Sequence, residues 1–144
     1  MTEETRLGII EVVSVLVIIA CIVAIAIPKT RDLRRHATAA QVVSDVEEVR
    51  HAVYQFYSDS AYFPAESPDE VIPASLVRYL PPGFTGDMPY GTIRYKRWPV
   101  RSSSIVGAIV RTKDPRIGAD AVALTPGLPE FTVGNTYSFI FFGS

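Results

Sequence analysis

The sequence predicts an α+β fold: one long N-terminal helix, membrane-spanning in its first half, packed through its second half on a small antiparallel β-sheet. Three observations predict it. Residues 9–27 (IIEVVSVLVIIACIVAIAI) hold one carboxylate, Glu11, and one hydroxyl, Ser14, both near the front. Residues 39–56 repeat apolar side chains at spacings of 3 and 4, the period of one helix face. Residues 92–98, 105–111 and 137–142 are short runs rich in β-branched and aromatic side chains, the texture of strands.

The first helix follows from length. At about 1.5 Å per residue, the nineteen residues 9–27 make a rod of roughly 28 Å, close to the ~30 Å hydrocarbon core of a bilayer. In lipid the backbone must satisfy itself, and a single short segment can do so only as a helix. A cleavable secretory signal fits poorly, since its apolar core is shorter and ends in a small-residue cut site, whereas this one ends in Ile-Pro-Lys. Pro28 lacks an N–H and crowds the preceding turn, so it is expected to kink or loosen the helix without ending it. Beyond it the seam Ala39, Val42, Val46, Val49, Val53 and Phe56 carries the helix on, giving an expected extent of 7–57. Asp45, Glu47, Glu48, Arg50 and His51 are assigned to its remaining faces, with Glu47 in reach of Arg50 or His51 one turn on.

Residues 58–73 break the pattern with Pro64, Pro68 and Pro73. A helical piece at 74–80 is expected, with Pro73 in its first turn, ended by Pro81-Pro82-Gly83. Residues 87–91 read as a turn into the first strand, 92–98, with Ile93 and Tyr95 on one face and Arg94 and Lys96 on the other. The strand 105–111 is apolar on both faces, as a central strand is. In 137–142, Tyr137, Phe139 and Phe141 are expected over the helix seam, with Ile140 and Phe142 opposite and Phe142 placed to meet a neighbour. Residues 114–135, rich in Pro and Gly, are expected to be loop, with short strands at 121–124 and 131–133.

Fourteen basic and fifteen acidic residues leave a net charge of −1, which argues against a nucleic-acid surface. The sole cysteine, Cys21, precludes an intrachain disulfide and reads as an apolar packing residue. His36 and His51 lie fifteen residues apart on the helix, not side by side, and read as solvated. There is no Gly-x-Ser-x-Gly elbow, no Gly-rich phosphate loop and no Cys/His set with metal-ligand spacing. The expectation is therefore no enzyme, no cofactor, no metal and no small-molecule substrate.

Glu11 and Pro28 stand seventeen residues apart, with VVSVLVIIACIVAIAIP following the glutamate. In this the segment resembles the N-terminus of type IV pilins and type II secretion pseudopilins, which carry a short leader, a glutamate at mature position five and usually a proline seventeen residues on. The resemblance implies a leader at 1–6, a transmembrane and filament-core helix at 7–28, and a pilin-like globular domain at 29–144 that includes the amphipathic half of the helix. Cleavage by a prepilin peptidase would fall between Arg6 and Leu7, where family leaders end in glycine or alanine. In the family the glutamate pairs with the terminal amine of a neighbouring subunit; here that amine is Leu7's, or the Arg6 guanidinium serves if the leader stays.

The implied partners are copies of the chain, related minor pilin-like subunits, the membrane, and an assembly platform driven by an ATPase. The implied place is the bacterial inner membrane, crossed once, with the globular domain in the periplasm or on an extracytoplasmic filament. Lys29, Arg31, Arg34 and Arg35 behind the span would by charge alone hold that domain in the cytoplasm; the family's orientation is preferred because a six-residue leader is easily moved. Some major pseudopilins hold calcium in a loop of the region of Asp114 and Asp120, but two carboxylates without a third more simply solvate a turn. The alternatives are a single-pass, signal-anchored periplasmic binding module that does not polymerise, for which Glu11 is incidental, and a small membrane-tethered enzyme.

Overall fold

The computed structural model describes residues 3–67, 71–128 and 130–143, with side chains only from residue 8 onward. Met1 and Thr2 of the expected leader, Pro68 and Pro129 lie outside the described residues, as do the side chains of Arg6 and Leu7. The chain divides into two units, Met1–Arg35 and His36–Ser144, and the first helix, α1 (Glu3–Ser60), contributes to both.

The first unit is helix throughout its described residues. Pro28 sits inside α1 and does not end it. The apolar side chains here are exposed, Ile10 at 64% and Ile25 at 71%, and α1 is long and apolar enough to cross a membrane. Ser14 Oγ donates to the Ile10 carbonyl at 2.7 Å and Thr30 Oγ1 to that of Ala26 at 2.7 Å. Each hydroxyl is thus satisfied one turn back on its own helix and asks nothing of water.

In the second unit α1 is amphipathic as its spacing requires. Ala39, Val42, Val46, Val49 and Val53 are fully buried and Phe56 nearly so. Glu47 meets Arg50, Nη1 to Oε1 at 3.2 Å. Asp45 departs from expectation: it is buried at 7% exposure rather than on a solvent face. The short helix α2 (Ala74–Val77) is half the expected length, with Pro73 at its N-cap and residues 78–80 turning out of it.

The strands are β1 (Asp87–Met88), β2 (Gly91–Val100), β3 (Ser103–Thr112), β4 (Glu130–Val133) and β5 (Thr136–Gly143), all antiparallel, in the order β1-β2-β3-β5-β4. β3 is central, which explains its apolar residues on both faces. The turn at 87–91 is tighter than expected, since Asp87 and Met88 fold back on Thr92 and Gly91 as an edge strand. Past β1 the edge of β2 is closed by the preceding loop, with Ile93 N–H donating to Gly86 O at 2.7 Å and Tyr95 N–H to Val71 O at 3.1 Å. One face of the sheet, carrying Ile93, Tyr95, Val106, Ala108, Val110 and Phe139, joins the α1 seam in a single core. The α+β class is therefore observed as a helix layer on a sheet layer.

Two expectations fail between β3 and the C-terminus. Residues 121–124 are not a strand: 121–123 close the helix α3 (Pro115–Ala123) and Leu124 is its C-cap. The Asp114 carboxylate accepts from Arg116 N–H at 2.9 Å and Pro115 occupies the first turn, a cap and start signal that outweighs the helix-weakening Gly118. The strand expected at 131–133 is present as β4. Phe142 is not on the outer face with Ile140. The register slips between Val106, paired with Phe142, and Gly107, paired with Ile140, so Phe141 is an extra residue. The bulge returns Phe142 to the helix side, where its ring centroid lies 6.0 Å from that of Tyr54 and 6.2 Å from that of Phe63.

Candidate functional site

Glu11 lies on the exposed surface of α1 among apolar neighbours, with Ile10 and Val12 on either side. It makes no hydrogen bond or ion pair among the described residues. The backbone at Arg6 and Leu7 is helical. At about 100° per residue, the backbone positions of residues 6 and 11 stand roughly 140° apart around the helix. Pro28 is four to five turns further along the rod. The residues of the proposed assembly set thus share one helix, and among the described residues nothing encloses Glu11.

The second unit holds a different cluster, which the periodicity of α1 did not reveal. Tyr90 in the β1–β2 turn donates its hydroxyl to Asp45 Oδ2 at 2.8 Å, and Gln41 Nε2 donates to Oδ1 at 2.8 Å. This partner is what makes a buried carboxylate tolerable on the seam side of α1. Tyr95 donates to the Pro64 carbonyl at 3.0 Å, tying the loop after α1 to the sheet. Beside these, Lys96 Nζ meets Glu66 Oε1 at 2.5 Å, and Tyr79 OH donates to Asp59 Oδ2 at 2.7 Å.

Burial, then the hydrogen bond and charge of Asp45, pushes the Tyr90 phenol well above its ordinary 10.0. Burial does the same to Tyr95, with Arg97 opposing and Glu66 adding. Folded-state values raised above the unfolded one mean that both phenols keep their protons while the unfolded chain loses them. Their stabilisation is complete below about pH 10 and declines above it, by up to about 1.4 kcal/mol per pH unit for each tyrosine. Urea midpoints followed through Trp98, the single tryptophan, should be insensitive to this pair from neutrality to about pH 10 and then fall, with roughly half that alkaline slope lost in Tyr90→Phe. An unchanged slope in that variant would contradict the assignment.

Asp114 and Asp120, expected to solvate a turn, have defined positions. Asp114 caps α3, and Asp120 Oδ2 lies 3.5 Å from His36 Nδ1, so His36 has a carboxylate neighbour while remaining largely exposed. Among the described residues no three His, Cys, Asp or Glu side chains converge on a point where they could hold a metal ion. Cys21 is exposed on α1 and His51 is on its solvent side. The polar clusters of the second unit fasten segments to one another. No family model, no curated protein and no solved structure matches the chain.

Proposed function

We propose that the chain is a pilin-like structural subunit of a type II secretion pseudopilus or type IV pilus-like filament, held in the bacterial inner membrane by the first half of α1 and assembled through that half. One observation carries this reading: in a helix long and apolar enough to span a bilayer, the apolar stretch 9–27 holds a single carboxylate, Glu11, with no partner among the described residues. An acidic side chain within a span costs about 2.5–3.5 kcal/mol on insertion scales and is ordinarily met by a partner. A cation brought by a second subunit, the amine of Leu7 after cleavage or Arg6 without it, supplies that partner. Packing one such helix against another replaces lipid contact with protein contact, so shape and the Glu11 pairing, not hydrophobicity, choose the neighbours.

The resemblance supplies the route. A prepilin peptidase removes residues 1–6, the subunit waits in the membrane with its second unit outside the cytoplasm, and an ATPase-driven platform draws it into a filament with related minor subunits. Glu11→Ala should insert in membranes as the parent does, yet yield at least tenfold fewer crosslinked oligomers. The N-terminal peptide of the parent, weighed by mass spectrometry, should begin at Leu7 with or without a methyl group. Unchanged crosslinking in Glu11→Ala would favour an anchored module that does not polymerise.

A further inference from the structure

Among the described residues, helix covers the sheet of the second unit on one face only. Its strand registers place Arg94, Ile109, Ser138 and Phe131 in one row across the other face, with Arg111 and Val133 in the row beside it. Phe131 is 63% and Val133 78% exposed, on an edge strand, β4, whose four residues are all exposed. Residues 91–113 contain six cations and no carboxylate. Arg94 and Arg111 are exposed and make no ion pair among the described residues. A free cationic and apolar surface of this kind is a surface awaiting a partner.

The same unit carries the complement on its opposite side. The solvent side of α1 from His36 onward exposes Glu47, Glu48 and Asp59. Its one arginine, Arg50, is taken up by Glu47, while Glu48 has no ion pair among the described residues. Along its flank the partly exposed rings of Tyr54 and Tyr57 pack on Phe142 and Phe63. The helix layer and the sheet layer put these two surfaces back to back.

We infer that the uncovered sheet face of one copy receives the acidic solvent side of α1 from a second copy. The partner is this chain because the acidic surface that complements the basic one is present on it. The contact is head-to-tail, so each copy keeps one surface free for a further copy. Apolar residues such as Phe131, Val133 and Ile109 supply contact area, and the charges set register and speed of encounter. This contact rests on the filament reading and adds to it a second, lipid-independent site of recognition.

The test uses the full chain in membranes, in a Cys21→Ala background, with two differently tagged copies. One carries Ser138→Cys on the sheet face; the other carries Ser44→Cys on the solvent side of α1. Under oxidation the two should form a disulfide-linked pair. Arg94→Glu with Arg111→Glu on the first copy should lower the yield at least tenfold, as should Glu47→Lys with Glu48→Lys on the second. Both reversals together should restore it. Yields indifferent to either reversal, or no recovery when both are present, overturn the inference. If this crosslink is absent while Glu11-dependent crosslinks within the span remain, the inference falls and the filament reading stands; if both are absent, both fall.

Discussion

Val46→Asp unfolds the His36–Ser144 unit while leaving the apolar half of α1 able to enter a membrane. Val46 is fully buried, with Val42, Val49 and Val53 fully buried on the same seam. A carboxylate placed there loses its hydration among aliphatic side chains, a cost of several kcal/mol even after the group protonates or the site relaxes. That is most of the 5–15 kcal/mol that holds an ordinary domain together. Val46→Ala, which removes methyl groups and adds no charge, costs about 2 kcal/mol and leaves the unit folded. Limited trypsin digestion of membranes checks both: the aspartate variant should be cut through the sheet strands while its helix stays in the carbonate-resistant fraction. Protease resistance equal to that of the parent would mean that the seam is not where the unit's stability lies.

The second large effect runs against helix propensity. In an exposed helix interior Gly→Ala gains about 1 kcal/mol, but at Gly118 in α3 a Cβ would fall on the ring of Tyr137. That ring is 4% exposed, and its hydroxyl donates to the Pro115 carbonyl at 2.6 Å, so it cannot swing aside without breaking the bond that fastens α3 to β5. Overpacking of this kind costs about 1–3 kcal/mol. Gly118→Ala should therefore lose about 2 kcal/mol, and Gly118→Val about 3, in urea titrations of the detergent-solubilised chain. With Tyr137→Ala as background the sign should reverse, because the obstacle is gone and only propensity remains. Equal losses in both backgrounds would place the strain elsewhere.

These two positions also mark how far the chain could be read without its fold. The seam containing Val46 is a local rhythm, and the observed burial of every member from Ala39 to Phe56 follows it. The alternation of Ile93 and Tyr95 with Arg94 and Lys96 was equally plain, because a strand's faces are assigned by neighbours two residues apart. α3 was legible in part. Asp114-Pro115 is a helix start, but Gly118 and the prolines around it read as loop. The reason for that glycine is a tyrosine nineteen positions away, brought to it by the pairing of β5 with β3. Asp45 was placed on the wrong side because its acceptor role depends on Tyr90, 45 residues on. Phe142 was placed on the wrong face because a bulge shifts register by one residue, and one residue reverses a strand's faces.

By composition and periodicity alone, the chain determined an apolar rod with one acid near its front, an amphipathic continuation, and strands able to cover it. Those features depend on side chains within one or two turns of each other, so nothing distant can override them. Tertiary structure alone decided which carboxylate is buried, that Gly118 is needed in α3, and that the sheet has five strands with one face free of helix. It also decided that Arg94 and Arg111 of the sheet and Glu47 and Glu48 of α1 lie on opposite sides of the same unit. Each of those depends on pairings across tens of residues, where the free energy of contact, not local preference, selects among the arrangements the sequence permits.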